Sequence, residues 1–269
     1  MSYSTLPMPG MGTFRLKGEH ARDAVLTALD LGFRHIDTAV MYDNETAVGE
    51  AIARSDSGRD KVFLTTKVWH TDLAPESLQA SIDGSLQRLG TDHVDLLLIH
   101  WPSPNQSVPM SESLNALKEV RDTGKARHIG VSNFTIAQID EAIDVLGEGE
   151  LLTNQIEVHP FLQNHAVVEH CQQRGITVTG YMPLAVGRVL EDPTLMAIAD
   201  EHQLTPAQIA LAWLRQRNVV PIPASSKAQH LQANLDAMTV ELNDEDMQRI
   251  AQLDRHQRFA DPDFAPKWD

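Results

Sequence analysis

His35-Ile36-Asp37-Thr38-Ala39-Val40-Met41-Tyr42-Asp43-Asn44-Glu45 opens as the end of a short apolar strand over residues 33–36. It then becomes a loop that sets an acid and a phenol five residues apart before a helix start. Strand ends of this kind carry the catalytic groups of β/α barrels. Taken alone, the stretch also fits a structural role, with Asp37 capping a turn and Tyr42 a half-buried phenol. Two later strands shift the balance. Val62-Phe63-Leu64-Thr65-Thr66 closes on Lys67, and Val94-Asp95-Leu96-Leu97-Leu98-Ile99 closes on His100. An acid, a phenol, a lysine and a histidine therefore fall at the carboxyl ends of what read as the first three strands.

Around this stretch, strand-like and helix-like patterns alternate. Strands are predicted over 33–36, 62–68, 94–101, 127–132, 151–158, 176–181 and 219–223, with a short eighth at 238–240. Helices are predicted over 19–31, 45–54, 75–89, 111–122 with Ser111 as N-cap, 135–146, 164–174, 193–203, 206–217, 229–235 and 244–253. Over 75–89 the polar stripe Ser77, Gln79, Ser81 and Ser85 reads as outward-facing. The run Leu96-Leu97-Leu98-Ile99 is apolar on both faces, as in a strand covered on two sides, and alternation with helices implies parallel pairing. The expected fold is a (β/α)8 TIM barrel in a single domain over 1–269, with extra helices. A C-terminal tail, 254–269, carries Phe259, Phe264 and Trp268 and could fold back over the barrel mouth. Residues 6–14, punctuated by Pro and Gly, read as a hairpin covering one end. Within them Gly10-Met11-Gly12-Thr13 lacks the third glycine of a phosphate-loop fingerprint.

Composition bounds the partners. With 22 Lys+Arg against 37 Asp+Glu, the net charge of −15 disfavours nucleic acid and anionic membranes. Cys171 is the single cysteine, so no internal disulfide forms. Residues 1–7 lack the basic flank and apolar run of a leader, and no segment reaches the roughly 18 apolar residues of a membrane helix. The expectation is a soluble cytoplasmic protein with no metal site, since His20, His70, His93 and His165 are scattered.

If Asp37, Tyr42, Lys67 and His100 converge, Tyr42 is the natural proton donor. A free phenol has a pKa near 10; the Lys67 ammonium would lower it, Asp37 would hold Lys67 in place, and His100 would orient a carbonyl oxygen. Such a site needs a nucleophile that the chain does not offer, and a cofactor hydride would fill the gap. Two other readings stay open. A barrel lyase or isomerase could use Lys67 as a Schiff-base amine, and a non-catalytic nucleotide-binding subunit would use no chemistry at all.

His35-Ile36-Asp37-Thr38-Ala39, Leu98-Ile99-His100-Trp101-Pro102, Ile129-Gly130-Val131-Ser132-Asn133-Phe134 and Asn154-Gln155-Ile156-Glu157 resemble, in family order, signatures of the aldo-keto reductase superfamily. The resemblance implies a barrel that binds NADPH without a Rossmann domain and reduces a small carbonyl such as methylglyoxal or 2,5-diketo-D-gluconate. It implies Asp37, Tyr42, Lys67 and His100 as the catalytic tetrad. Ser132, Asn133 and Gln155 would contact the nicotinamide carboxamide, Tyr181 would stack on the ring, and Gly12, Thr13, Asp37, Pro183, Leu184 and Asn234 would complete the cofactor cleft. Phe14, Trp69, His100 and Trp101 would line the substrate pocket. A monomer is implied as well. After the seventh predicted strand the family places Lys, Ser and a later Arg around the 2′-phosphate, where this chain has Ala224, Ser225 and His230. Ser226 and Lys227 could compensate, since a lysine binds phosphate as a point charge. NADPH is expected, with NADH possible.

Overall fold

The computed structural model describes residues 6–269, so residues 1–5 of the stretch read for targeting lie outside it. Eight parallel strands, β1 (Met11–Gly12), β2 (His35–Asp37), β3 (Phe63–Val68), β4 (Val94–Ile99), β5 (Ala126–Ser132), β6 (Leu151–Glu157), β7 (Thr177–Tyr181) and β8 (Val219–Pro221), pair in sequence order. The curl closes where Gly10 N–H donates to the Pro221 carbonyl (3.0 Å) and Gly12 N–H to that of Pro223 (3.1 Å). This seam needs its glycines. A Cβ on Gly12 would lie 2.8 Å from the Ile222 carbonyl oxygen, and one on Gly10 2.7 Å from both His35 and Ile222.

Two expectations change here. Residues 6–14 are not a hairpin, because Met11–Gly12 is the first barrel strand. The predicted strand at 238–240 does not exist, because Ala237–Thr239 is a 3-10 turn. The tetrad accordingly sits on β2, β3 and β4 rather than on the first three strands. Loop-like residues hid β1: its neighbours are Gly and Pro, which close approach demands and which strand propensity penalises.

The helices are α1 (Gly18–Leu31), α2 (Glu45–Arg54), α3 (Pro75–Leu89), α4 (Met110–Asp122), α5 (Ile136–Leu146), α6 (His165–Gln173), α7 (Pro193–His202), α8 (Pro206–Gln216), α9 (Ala228–Asp236) and α10 (Asp244–Ala251). Thr135, Thr205 and Asn243 cap α5, α8 and α10 through reciprocal capping boxes. Ser111 does not cap α4, which starts one residue earlier after Pro109. On α3, Ser85 is buried rather than outward and accepts a hydrogen bond from Arg88. No helix among the described residues is long and apolar enough to cross a membrane.

Strand parity sorts the core. Leu97 and Ile99 join the large cluster between sheet and helices, whereas Leu96 and Leu98 join Leu6 and Val220 in a smaller cluster filling the barrel interior. Successive side chains of a strand point to opposite faces. His100 continues the inward series 96, 98, 100 one step beyond the strand, and Asp37 and Lys67 continue the inward pair His35 and Thr65, which are bonded to each other at 3.0 Å. The apolar floor and the polar mouth are successive levels of the same inward rows.

Candidate active site

At the carboxyl ends of β2, β3 and β4 the tetrad converges. Lys67 Nζ lies 2.5 Å from Asp37 Oδ1 and 2.8 Å from the Thr38 carbonyl oxygen, and donates to Tyr42 Oη at 3.4 Å. Both Lys67 and Asp37 are buried. The Tyr42 ring stands edge-on to His100, with centroids 5.6 Å apart, and against Phe14 at 5.2 Å. Tyr42 reaches this place on a 3-10 turn, Val40–Tyr42, that ends at Asp43 in the left-handed region. The Asn44 side chain fixes the turn from behind: its amide donates to the Thr13 and Leu16 carbonyls and accepts from Thr38 Oγ1.

Electrostatics follow from dryness. Burial, reinforced by the Asp37 charge, pushes the Tyr42 phenol well above its usual range. The sequence-based expectation that Lys67 would lower it is therefore reversed in net sign. Burial lowers Lys67, opposed by Asp37, and burial together with Lys67 and His70 holds His100 well below 6.5. His100 is a neutral imidazole at neutral pH. Its Nδ1 is buried without a hydrogen-bond partner.

The residues expected at the nicotinamide also come together. Tyr181 Oη donates to Asn133 Oδ1 (2.8 Å), Asn133 Nδ2 to the His100 carbonyl (3.0 Å) and to Ser132 Oγ (3.1 Å), and Ser132 Oγ to the Gln155 carbonyl (2.7 Å). Gln155 Nε2 donates to Asp37 Oδ2 at 2.8 Å, which ties this network to the tetrad. Thr13 donates to the Asp37 carbonyl from both its backbone and its hydroxyl. Gly12, Pro183 and Asn234 are buried, and Leu184 packs partly buried on the core. Ala224, Ser226, Lys227 and His230 are exposed around the start of α9, whose first residues have no side-chain cap. The structure draws these residues into two groups: one fused with the tetrad, the other at the open rim.

Sequence reasoning missed one residue at the mouth and anticipated the tail aromatics that meet it. His70, read as a surface residue, stacks at 4.6 Å on Trp69, whose ring stands 5.1 Å from His100. From the tail, Phe264 meets His70 (4.2 Å), Trp101 (5.5 Å) and Trp69 (5.7 Å), and Trp268 meets Trp101 (6.0 Å). The tail does cover the mouth. The only signal that could have implicated His70 was its place two residues past the end of β3. Among the described residues no group of His, Cys, Asp and Glu could hold a metal ion.

The family model "Aldo/keto reductase family" matches residues 10–255. Methylglyoxal reductase DkgB of Yersinia pestis is 48% identical over 98% of this chain and 100% of its own length, and that of Escherichia coli O157:H7 is 47% identical over 98% and 99%. A crystal structure assigned as a 2,5-diketo-D-gluconic acid reductase B superposes with a TM-score of 0.92 at 43% identity, covering 97% of this chain and 92% of that one. The Bombyx mori aldo-keto reductase in complex with NADP superposes at 0.87 with 34% identity, over 94% and 91%. The chain belongs to the aldo/keto reductase family and is a barrel oxidoreductase that reduces carbonyl groups.

Proposed function

We propose that this protein reduces a small dicarbonyl such as methylglyoxal at the expense of NADPH, with Tyr42 as proton donor. One observation carries the assignment: Tyr42 Oη accepts a hydrogen bond from Lys67, which leaves the phenol's own proton free to donate into the mouth. The raised pKa suits that task. A developing alkoxide is a far stronger base than a phenolate, so Tyr42 keeps its proton at rest and releases it only as charge builds on the carbonyl oxygen. His100, neutral, hydrogen-bonds the same oxygen and orients it, while Phe14, Trp69 and Trp101 exclude water and limit the pocket.

The donor set fits a nicotinamide dinucleotide. Ser132, Asn133 and Gln155 offer amide and hydroxyl partners beside the Tyr181 ring, and Gly12, Thr13, Pro183, Leu184 and Asn234 would take the rest of the dinucleotide on its way to the rim. At its far end the uncapped first turn of α9 with Ser225, Ser226 and Lys227 matches the chemistry of a phosphate monoester, which favours NADPH although Ala224 and His230 supply no fixed positive charge there. Reduced nicotinamide, when bound, supplies the hydride. A Schiff-base role for Lys67 finds no support, because Nζ is buried and its hydrogens are directed at Asp37, Thr38 and Tyr42.

The test is oxidation of NADPH and, in parallel, NADH with methylglyoxal by wild type and Tyr42→Phe. Turnover by wild type, with loss of kcat by roughly 10²–10⁴ in a mutant that still binds cofactor, is the expected result. A mutant as fast as wild type would remove Tyr42 from the role.

A further inference from the structure

One residue of the Asn154-Gln155-Ile156-Glu157 motif has no place in the chemistry above. Glu157 ends β6, points inward by the same parity as Gln155, and is completely buried. Its carboxylate is nevertheless fully occupied. His159 Nε2 lies 2.9 Å from Oε1, Phe259 N–H donates to Oε1 and Ala260 N–H to Oε2, both at 2.8 Å. Phe161 N–H donates to His159 Nδ1, which fixes Nδ1 as the acceptor and Nε2 as the protonated nitrogen aimed at Glu157. Two consecutive backbone amides of the C-terminal tail are thus held by a buried carboxyl group at the carboxyl end of β6. The accepting carboxyl group is fully buried and the two donating amides are partly buried.

The tail has other attachments on either side of this grip. Before it, Gln257 N–H donates to the Phe161 carbonyl at 2.9 Å and Phe259 packs on the core; at the far end Asp269 accepts from Ile136 N–H at the start of α5 in an exposed contact that solvent screens, and within the tail Trp268 Nε1 donates to Asp261. Between these two ends lies Phe264, four residues beyond the Glu157 grip, packed on Trp69, His70 and Trp101 and one ring away from His100.

We infer that Glu157 is a positioning residue for substrate: its carboxylate seats the tail so that Phe264 and Trp268 form the outer wall of the carbonyl pocket. The inference rests on the reductase reading above. It separates binding of the carbonyl, which needs the wall, from proton donation by Tyr42, whose ring packs on Phe14 and His100.

Two variants test it. Glu157→Gln replaces one accepting oxygen with an N–H₂ that faces an N–H. Ala260→Pro deletes a single donor on the tail side and leaves the buried Glu157–His159 pair intact, so it remains informative should Glu157→Gln fold poorly. In each, steady-state kinetics with methylglyoxal and NADPH, cofactor binding by fluorescence, and amide hydrogen exchange over 259–269 are measured. Expected are a KM for methylglyoxal raised roughly tenfold, as for loss of one hydrogen bond to a charged group, kcat and cofactor affinity close to wild type, and faster exchange across the tail. Unchanged tail exchange in Ala260→Pro overturns the latch. Faster exchange with an unchanged KM overturns the role in substrate binding, as would a fall in kcat and cofactor affinity parallel to KM. If wild type does not turn over methylglyoxal, the reductase reading fails on that substrate, and tail exchange alone still decides whether Glu157 holds the tail.

Discussion

The floor of the active site and the rim beyond β8 are built on opposite plans. At the floor, Lys67, Asp37, Gln155, Ser132 and Asn133 are buried and bonded to one another, so the chemistry is arranged before any ligand arrives. At the rim, Ser226 and Lys227 are exposed, and the recorded local bond is from Lys227 N–H to Ser225 Oγ at 3.2 Å. Preorganised groups in a dry site act with nearly the full strength of their fields, whereas an exposed ammonium is screened and must be ordered by what it binds. Damage to the floor should therefore be steep and appear in kcat; damage to the rim should be graded and appear in the affinity for one cofactor.

The most severe test is Asp37→Asn, which leaves the Lys67 ammonium without its counter-charge. Removing one partner of a buried pair should lower stability by about 3–5 kcal/mol in urea titration, and kcat for NADPH oxidation should fall roughly 10²–10⁴-fold. A kcat within tenfold of wild type would make the pair structural only. At the rim, Lys227→Ala should raise KM for NADPH roughly tenfold, the scale of one hydrogen bond to a charged group, and leave KM for NADH unchanged. Equal effects on both cofactors would put the 2′-phosphate elsewhere.

Acid titration probes the buried histidines, those of the floor foremost, with His70, His128 and His165 also lowered by partial burial. His35 and His100 are both held below 6.5, so as pH drops through that value the unfolded chain takes up protons that the folded chain refuses. The folded state then loses stability, and Tm should fall below about pH 6.5, less so in His100→Gln. Since His100 stays neutral, kcat/KM should not drop at 6.5. On the alkaline side Lys67 is lowered from 10.5 while Tyr42 is raised above 10.0, so the first loss of activity belongs to the lysine. The smallest effect is expected for Ala224→Lys, where an added exposed charge should tighten NADPH by only about twofold to fivefold; no change in cofactor ratio would argue that position 224 faces away from the phosphate.

The barrel and its tetrad were legible because inward rows alternate along strands: Asp37, Lys67 and His100 each stand at the end of a run whose parity can be counted. Gly90, just past the helix over 75–89, marks a helix end in the same local way, and it stands in the left-handed region. The closing seam was not legible. Gly10 and Gly12 look like loop residues in any local window, and only the approach of β8 shows that their lack of side chains is what lets the ends meet. Ser85 on α3 is a different case: it stands at helical spacing from Leu78, Ile82 and Leu89 on the buried stripe, and its polar side chain masked a position that the period assigns to the core.

The sequence by itself determined the parallel strand–helix repeat, the family, and the strand ends on which Asp37, Lys67 and His100 stand, since each rests on spacing within single elements or on short motifs. Tertiary structure alone decided the sign of the shift on Tyr42, because desolvation depends on what packs over the phenol. It also decided that Glu157 grips amides about a hundred residues away, because a backbone N–H leaves no mark in the residue names that carry it.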